Sequence, residues 1–188
     1  MRTLLVALAL ALGECANAPA QQLQIPGDGA HPVIGNPDAP WRTRTAGSRA
    51  ADQALAHACL ESGGQCEDVV QAACRATAGD LDPEAAPFQR QCDWRAMAAW
   101  EDEIVVMLAD LRGKLGGRDL QNLNDSETAW ETSMLADVKL GMDYYAGGTI
   151  SGPIGAHVRA LATAHRAAYL HEMELLLGAN DVRSEPLR

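Results

Sequence analysis

From Phe88 to Leu115 the chain carries one continuous helical stripe, and no other feature limits its fold as strongly. Cys92, Ala96, Trp100, Ile104, Met107, Leu108, Leu111 and Leu115 recur at the spacing of one helix face. Arg95, Glu101, Asp102 and Asp110 lie between them. The pattern predicts an amphipathic helix of about seven turns, apolar on the side that meets a core. Gly116-Gly117 ends it. A helix this long cannot cover its own apolar face, so further helices must pack on it.

The rest of the chain supplies them. Ala50–Ser62 is rich in Ala and Leu and stops at Gly63-Gly64, a helix-ending signal. Cys66–Ala78 reads as a second short helix, with Cys66, Val70, Ala73 and Cys74 on one side. A loop follows from Gly79 to Pro87. Asp119 is placed to cap the next helix, whose stripe is Leu120, Leu123, Trp130, Met134, Val138, Met142 and Tyr145. Asn122, Asn124 and Asp125 weaken its first turns, which allows a start as late as Ser126. After Gly147-Gly148 and Gly152-Pro153, a stripe of Ile154, Val158, Leu161, His165, Ala168, Leu175 and Leu176 marks a last helix. No segment alternates as a strand does, and no internal repeat is present. The fold class is therefore all-α: an antiparallel bundle of about five helices over residues 49–178, followed by a polar tail at 179–188. Phe88 is the only Phe, so Trp, Leu, Met and Ala must fill the core. Trp100 and Trp130 lie mid-helix on the stripes and are expected to pack together.

The first twenty residues follow a different logic. Met1-Arg2-Thr3 carries one positive charge, Leu4–Leu12 is an apolar run, and Ala18-Pro19-Ala20 is a small-x-small site before Gln21. That order predicts a secretory signal peptide over 1–20. The run is too short for a membrane span, which needs about 20 apolar residues. Cys15 raises the alternative of a lipid anchor, but Glu14 occupies the position where lipoprotein processing wants a small residue. Residues 21–48 hold four Pro and four Gly with no hydrophobic period. They read as a flexible leader whose one large anchor is Trp41.

Cleavage after Ala20 removes Cys15 and leaves Cys59, Cys66, Cys74 and Cys92. An even, clustered set in an exported chain predicts disulfides. Spacings of seven, eight and eighteen lack the close Cys pair of a zinc site. Cys59 and Cys66 flank the Gly63-Gly64 turn; Cys74 ends the second helix and Cys92 begins the third. Adjacency therefore pairs Cys59 with Cys66 and Cys74 with Cys92, stapling the N-terminal helix pair. The longer of the two loops is worth about 3 kcal/mol in the chain-entropy account.

Charge narrows the partners. Without Arg2 and Glu14 the chain keeps 14 basic against 24 acidic side chains and a charge of −10. Such a surface repels nucleic acid and anionic lipid and attracts basic proteins. No Gly-x-Ser-x-Gly turn or phosphate-binding loop occurs, and Gly147-Gly148-Thr149 lacks the Lys of a P-loop. The histidines His31, His57, His157, His165 and His171 form no His-x-x-x-His pair. His165, on the apolar stripe, reads as a hydrogen-bonded residue at the core edge. The run Glu101-Asp102-Glu103 reads as a solvated helix face. The residues thus give no catalytic set, cofactor or metal, and point to a binding protein rather than an enzyme. A hydrolase using two carboxylates remains the rival class, since the separation such acids need is not visible in sequence.

One cluster stands apart. Arg112, Lys114 and Arg118 surround Gly116-Gly117 in an otherwise acidic protein. Cations favour the last turn of a helix, which explains them locally. They also form a basic tip suited to an acidic cleft on a partner.

The pattern resembles the LprI-type lysozyme inhibitor family of small exported bacterial proteins. Cys92-Asp93-Trp94-Arg95-Ala96 with Trp100-Glu101-Asp102-Glu103-Ile104 is similar to the family's cysteine-led helix. Glu127-Thr128-Ala129-Trp130 resembles its Gln-x-x-Trp helix, Tyr145–Ile150 its Tyr-x-Gly-Gly-Thr turn, and Leu161–Leu170 its closing helix. The likeness covers roughly residues 55–172, and its specificity comes from the order and spacing of the pieces. Departures are Glu127 in place of Gln, the absence of Cys from Leu135-Ala136-Asp137 and from His157-Val158, and the loss of a Leu-Asn pair near Leu123 and Asn124. The resemblance implies an exported helical domain, and lysozyme inhibition for part of the family. Commonly basic lysozymes would be drawn to an acidic binder. The Arg112–Arg118 tip, or the Gly147–Pro153 turn, would then block the cleft. The other function open to such a domain is a structural or interaction role in the envelope without lysozyme activity.

Overall fold

The computed structural model describes residues 47–79, 82–146 and 148–184. They form five helices: α1 (Arg49–Ser62), α2 (Val69–Arg75), α3 (Ala86–Lys114), α4 (Gly117–Tyr144) and α5 (Ser151–Ser184). No strand occurs among the described residues, so the chain is an all-α bundle. The signal peptide expected at 1–20, the leader through residue 46 with Trp41, and Pro186 lie outside them.

Local chemistry sets the helix ends. α1 stops where Gly63 turns left-handed at φ 66°, its N–H donating to the Leu60 carbonyl at 3.0 Å. That conformation favours glycine because a Cβ would crowd the following carbonyl. α3 begins two residues before Phe88 with Pro87 in its first turn, where a missing N–H costs nothing. α4 starts at Gly117, so Asp119 is not the cap but a first-turn acid, where it favours the positive helix end. α5 takes Pro153 in its first turn for the same reason as α3 takes Pro87. It continues through Ser184, six residues beyond the boundary expected at 178.

Both disulfides sit at the front of the bundle. Cys59 is joined to Cys66 across the α1–α2 turn, and Cys74 to Cys92 across the α2–α3 loop. α1 and α2 are thereby tied to each other and to α3.

α3 is the centre. α1, α2 and α5 all pack on it, whereas α4 packs on α5 and hardly touches α3. Asp93 meets His157, and Asp110 meets Glu174; each pair is 64 residues apart, so α3 and α5 run parallel. Glu127 meets Arg166 while Gly141 faces Ile154, so α4 runs antiparallel to α5. Consecutive long helices thus alternate in direction, with α5 lying between α3 and α4. α4 and α5 approach closely at two glycines: a Cβ on Gly155 would lie 2.8 Å from the Met142 side chain, and one on Gly141 would lie 3.2 Å from Ile154.

The stripe on α3 is buried as expected, with Trp100 and Ile104 at 0 % exposure. The charged side of that helix is buried too. Every residue from Ala96 to Ile104 is buried, and Glu101-Asp102-Glu103 is not a solvated face. Successive residues on a helix point about 100° apart, so the three acids reach three different partners. Glu101 accepts from Arg159 of α5 at 3.2 Å, Asp102 takes a two-pronged bond from Arg49 of α1, and Glu103 meets Nδ1 of His57 at 3.0 Å. Arg95 likewise holds buried Asp52 of α1 through two bonds of 2.8 and 2.6 Å. These bonds are the first cause of the raised guanidinium pKa of both Arg49 and Arg95. Buried pairs contribute little net stability, but a misplaced helix would leave each acid buried without its cation. They therefore specify which helix lies where.

The core face of α5 also differs from the expected stripe. Ala156, Ala160, Thr163, Ala164, Ala167 and Leu170 are buried, whereas Leu175 and Leu176 are 60 % and 54 % exposed. Small side chains let α5 approach α3 closely enough for Trp100 and Met97 to fill the space between. His165 points outward and pairs with Glu67 at 3.1 Å, not at the core edge. Trp100 and Trp130 do not pack as a ring pair. Trp130 lies at the margin of the core with the Arg166 guanidinium 5.8 Å from its ring centre.

Candidate partner-binding surface at the α3–α4 turn

Arg112, Lys114 and Arg118 are all exposed at the turn between α3 and α4. Two of them are tethered. Lys114 pairs with Asp110 at 2.5 Å, one helical turn back. Arg112 donates to Asn124 at 3.3 Å, bridging α3 and α4. Glu174 of α5 joins this end: its carboxyl pKa is raised, first by burial and then by the neighbouring Asp110 charge, while Lys114 opposes the shift. Lys114 thus sits beside two acids, and its charge is partly answered. The tip presents Arg118 and the outer edges of Arg112 and Lys114.

Beside the tip, sequence reasoning missed a groove. α3 and α4 splay from their shared turn, and α5 forms the floor between them. The resulting cavity, about 310 Å³, is lined by Leu111, Leu115, Leu123, Tyr169, Met173 and Leu177. Asp119, Asn122 and Ser126 of α4 edge it on one side. One wall is held in place. The Arg166 guanidinium lies 5.0 Å from the Tyr169 ring centre, and it is itself fixed by Glu127 and by Ser126 Oγ at 3.0 Å. Leu111, Leu115 and Leu123 belong to stripes legible in the sequence. Tyr169, Met173 and Leu177 do not, and nothing local announces that α3 and α4 separate.

The other turn considered from sequence lies at the opposite end. Ile150 and Pro153, with Arg75, Gln89, Asp93 and His157, border a cavity of about 360 Å³ there; Gly147 lies outside the described residues. Opposed charges face each other in it: Arg75 and His157 against Asp93 and Glu84. Because α3 separates the two ends by about 1.5 Å per residue over its 29 residues, one contact cannot use both turns.

His157 makes this end sensitive to pH. Its pKa is raised above 6.5, first by the hydrogen bond to Asp93, against burial and the Arg75 charge. A raised folded value favours the protonated fold. The stability it contributes is complete below the unfolded value and is lost as pH rises through the folded one. Thermal unfolding is therefore expected to shift to lower temperature as pH rises from 6.5 through the raised folded value, and His157→Gln is expected to flatten that slope. A variant whose slope equals the parent's would refute the assignment.

Among the described residues, no three His, Cys, Asp or Glu side chains gather as a metal site, and no helix is long and apolar enough to cross a membrane. No protein-family model matches the chain, and no curated protein or solved structure matches it at a significant level.

Proposed function

We propose that this chain is an exported binding protein that acts by protein–protein contact through the α3–α4 turn, with lysozyme as its target. The observation that carries the reading is the exposed cluster Arg112, Lys114 and Arg118 on a chain of charge −10. The acidic body would draw in a basic partner over long range. The local cations would then orient toward the carboxylates of a lysozyme cleft. The resemblance of residues 55–172 to the lysozyme inhibitor family supports the same target. Two disulfides suit a protein working in an oxidising compartment outside the cytoplasm or in the periplasm.

The test is a lysis assay with oxidised protein in molar excess over lysozyme. Inhibition is expected, with loss on the order of tenfold or more in the Arg112→Ala/Lys114→Ala/Arg118→Ala variant. Unchanged lysis at high excess removes lysozyme as the target and leaves an envelope interaction domain as the reading. Full inhibition by the triple variant removes the tip alone.

A further inference from the structure

We propose that the groove between α3, α4 and α5 binds a single-chain amphiphile with an anionic head, of the fatty-acid carboxylate class. This goes beyond the protein contact proposed above and does not depend on it.

Three observations carry the assignment. The first is size and shape. At about 310 Å³ the groove lies at the lower end of small-ligand sites, which run from roughly 300 to 1,000 Å³. It is concave and enclosed on three sides by helices, whereas a protein partner needs a broad contact of roughly 1,000 Å² or more. Its length along α5, from Tyr169 to Leu177, is about 12 Å. That suits one medium-length acyl chain.

The second is lining. Five aliphatic or thioether side chains and one aromatic ring supply its apolar surface. The Tyr169 wall is fixed before any ligand arrives, because Arg166 is buried at 8 % exposure and clamped to Glu127. A preformed wall spares the ordering cost that weakens binding to mobile surfaces.

The third is charge. Arg112 and Lys114 fall between Leu111 and Leu115, and Arg118 falls one residue before Asp119. The cations thus lie within about one helical turn of the lining residues at the tip end of the groove. Asp119 edges the same groove and disfavours an anion at its own position, so the carboxylate is placed toward Arg112 and Arg118. Tyr169 and Met173, which lie farther from the tip along α5, take the deeper part of the chain.

Decanoate is the probe, titrated calorimetrically into the oxidised protein below its self-association limit, with decanol as the uncharged control. One saturable site is expected. Asn122→Trp, an exposed substitution at the edge, and Leu123→Trp, within the wall, are each expected to raise Kd roughly tenfold or more by filling the space. Arg112→Ala/Lys114→Ala/Arg118→Ala is expected to bring decanoate to the affinity of decanol. Circular dichroism checks that each variant is folded. No saturation by decanoate, or binding indifferent to both Trp variants, overturns the proposal. So does equal affinity of the parent for decanoate and decanol. If filling the groove weakens lysozyme binding while decanoate never saturates, the groove is a protein socket and the acyl assignment is wrong. Decanoate binding by a protein that leaves lysozyme unaffected refutes the lysozyme reading alone.

Discussion

Trp100→Ala lowers the stability of the bundle by about 3–5 kcal/mol, the range for removing a large aromatic from a core. At roughly 2–4 °C per kcal/mol for a chain of this size, the melting temperature falls on the order of 10 °C. Trp100 is at 0 % exposure and sits where α3 meets the alanine face of α5. Those alanines are why the cost is high. A wall of Cβ atoms on helical backbone cannot rotate inward to fill the space that an indole leaves. Among the described residues the Trp100 Nε1 has no hydrogen-bond partner, so its contribution is volume rather than polarity. Trp100→Phe therefore retains most of the stability, losing about 1–2 kcal/mol. Trp130→Ala, at the margin of the core, loses less than Trp100→Ala. Thermal unfolding by circular dichroism decides it: equal losses at Trp100 and Trp130 would place the centre of the core elsewhere.

The α3 stripe was readable because it is local. Cys92 to Leu111 repeats at helical spacing, and each member is buried. The two disulfides were readable for the same reason, since each joins segments that are neighbours in the chain. What could not be read is what depends on distant partners. Glu101, Asp102 and Glu103 resemble a solvated run until Arg159, Arg49 and His57 arrive from 58, 53 and 46 residues away. Over Ala96–Ile104 the central helix has no outer face for charges, and that topology leaves no mark within the run itself. The α5 face was misassigned through size. Leu161, Leu175 and Leu176 outweigh Ala156, Ala160 and Ala164 in hydrophobicity, yet only the small residues permit close packing on α3. The basic tip was visible as composition. The groove beside it was not, because it arises from the α3–α4 splay and from residues outside any expected stripe.

Arg166→Ala is the second large effect, and it tests how α4 is held. α4 buries only Glu127 and Met134 fully, and it leans mainly on α5. Arg166 binds Glu127 at a site where both side chains are nine-tenths buried, bonds Ser126, and lies against the rings of Trp130 and Tyr169. Removing it leaves the Glu127 carboxylate buried without a cation, which costs about 3–5 kcal/mol. The same change frees the Tyr169 wall. Hydrogen exchange is expected to accelerate across α4 before it does in α3, whose core contacts are untouched. The double variant Arg166→Met/Glu127→Leu removes both charges and keeps the volume, so it is expected to be more stable than Arg166→Ala. A double variant as unstable as the single would mean that packing around the guanidinium, not the stranded charge, holds α4. In that case Arg166→Met alone should recover the loss. If instead exchange in α3 and α4 rises together, α4 is not a separately held element but part of one cooperative unit with the core, and the groove opens only when the whole bundle does.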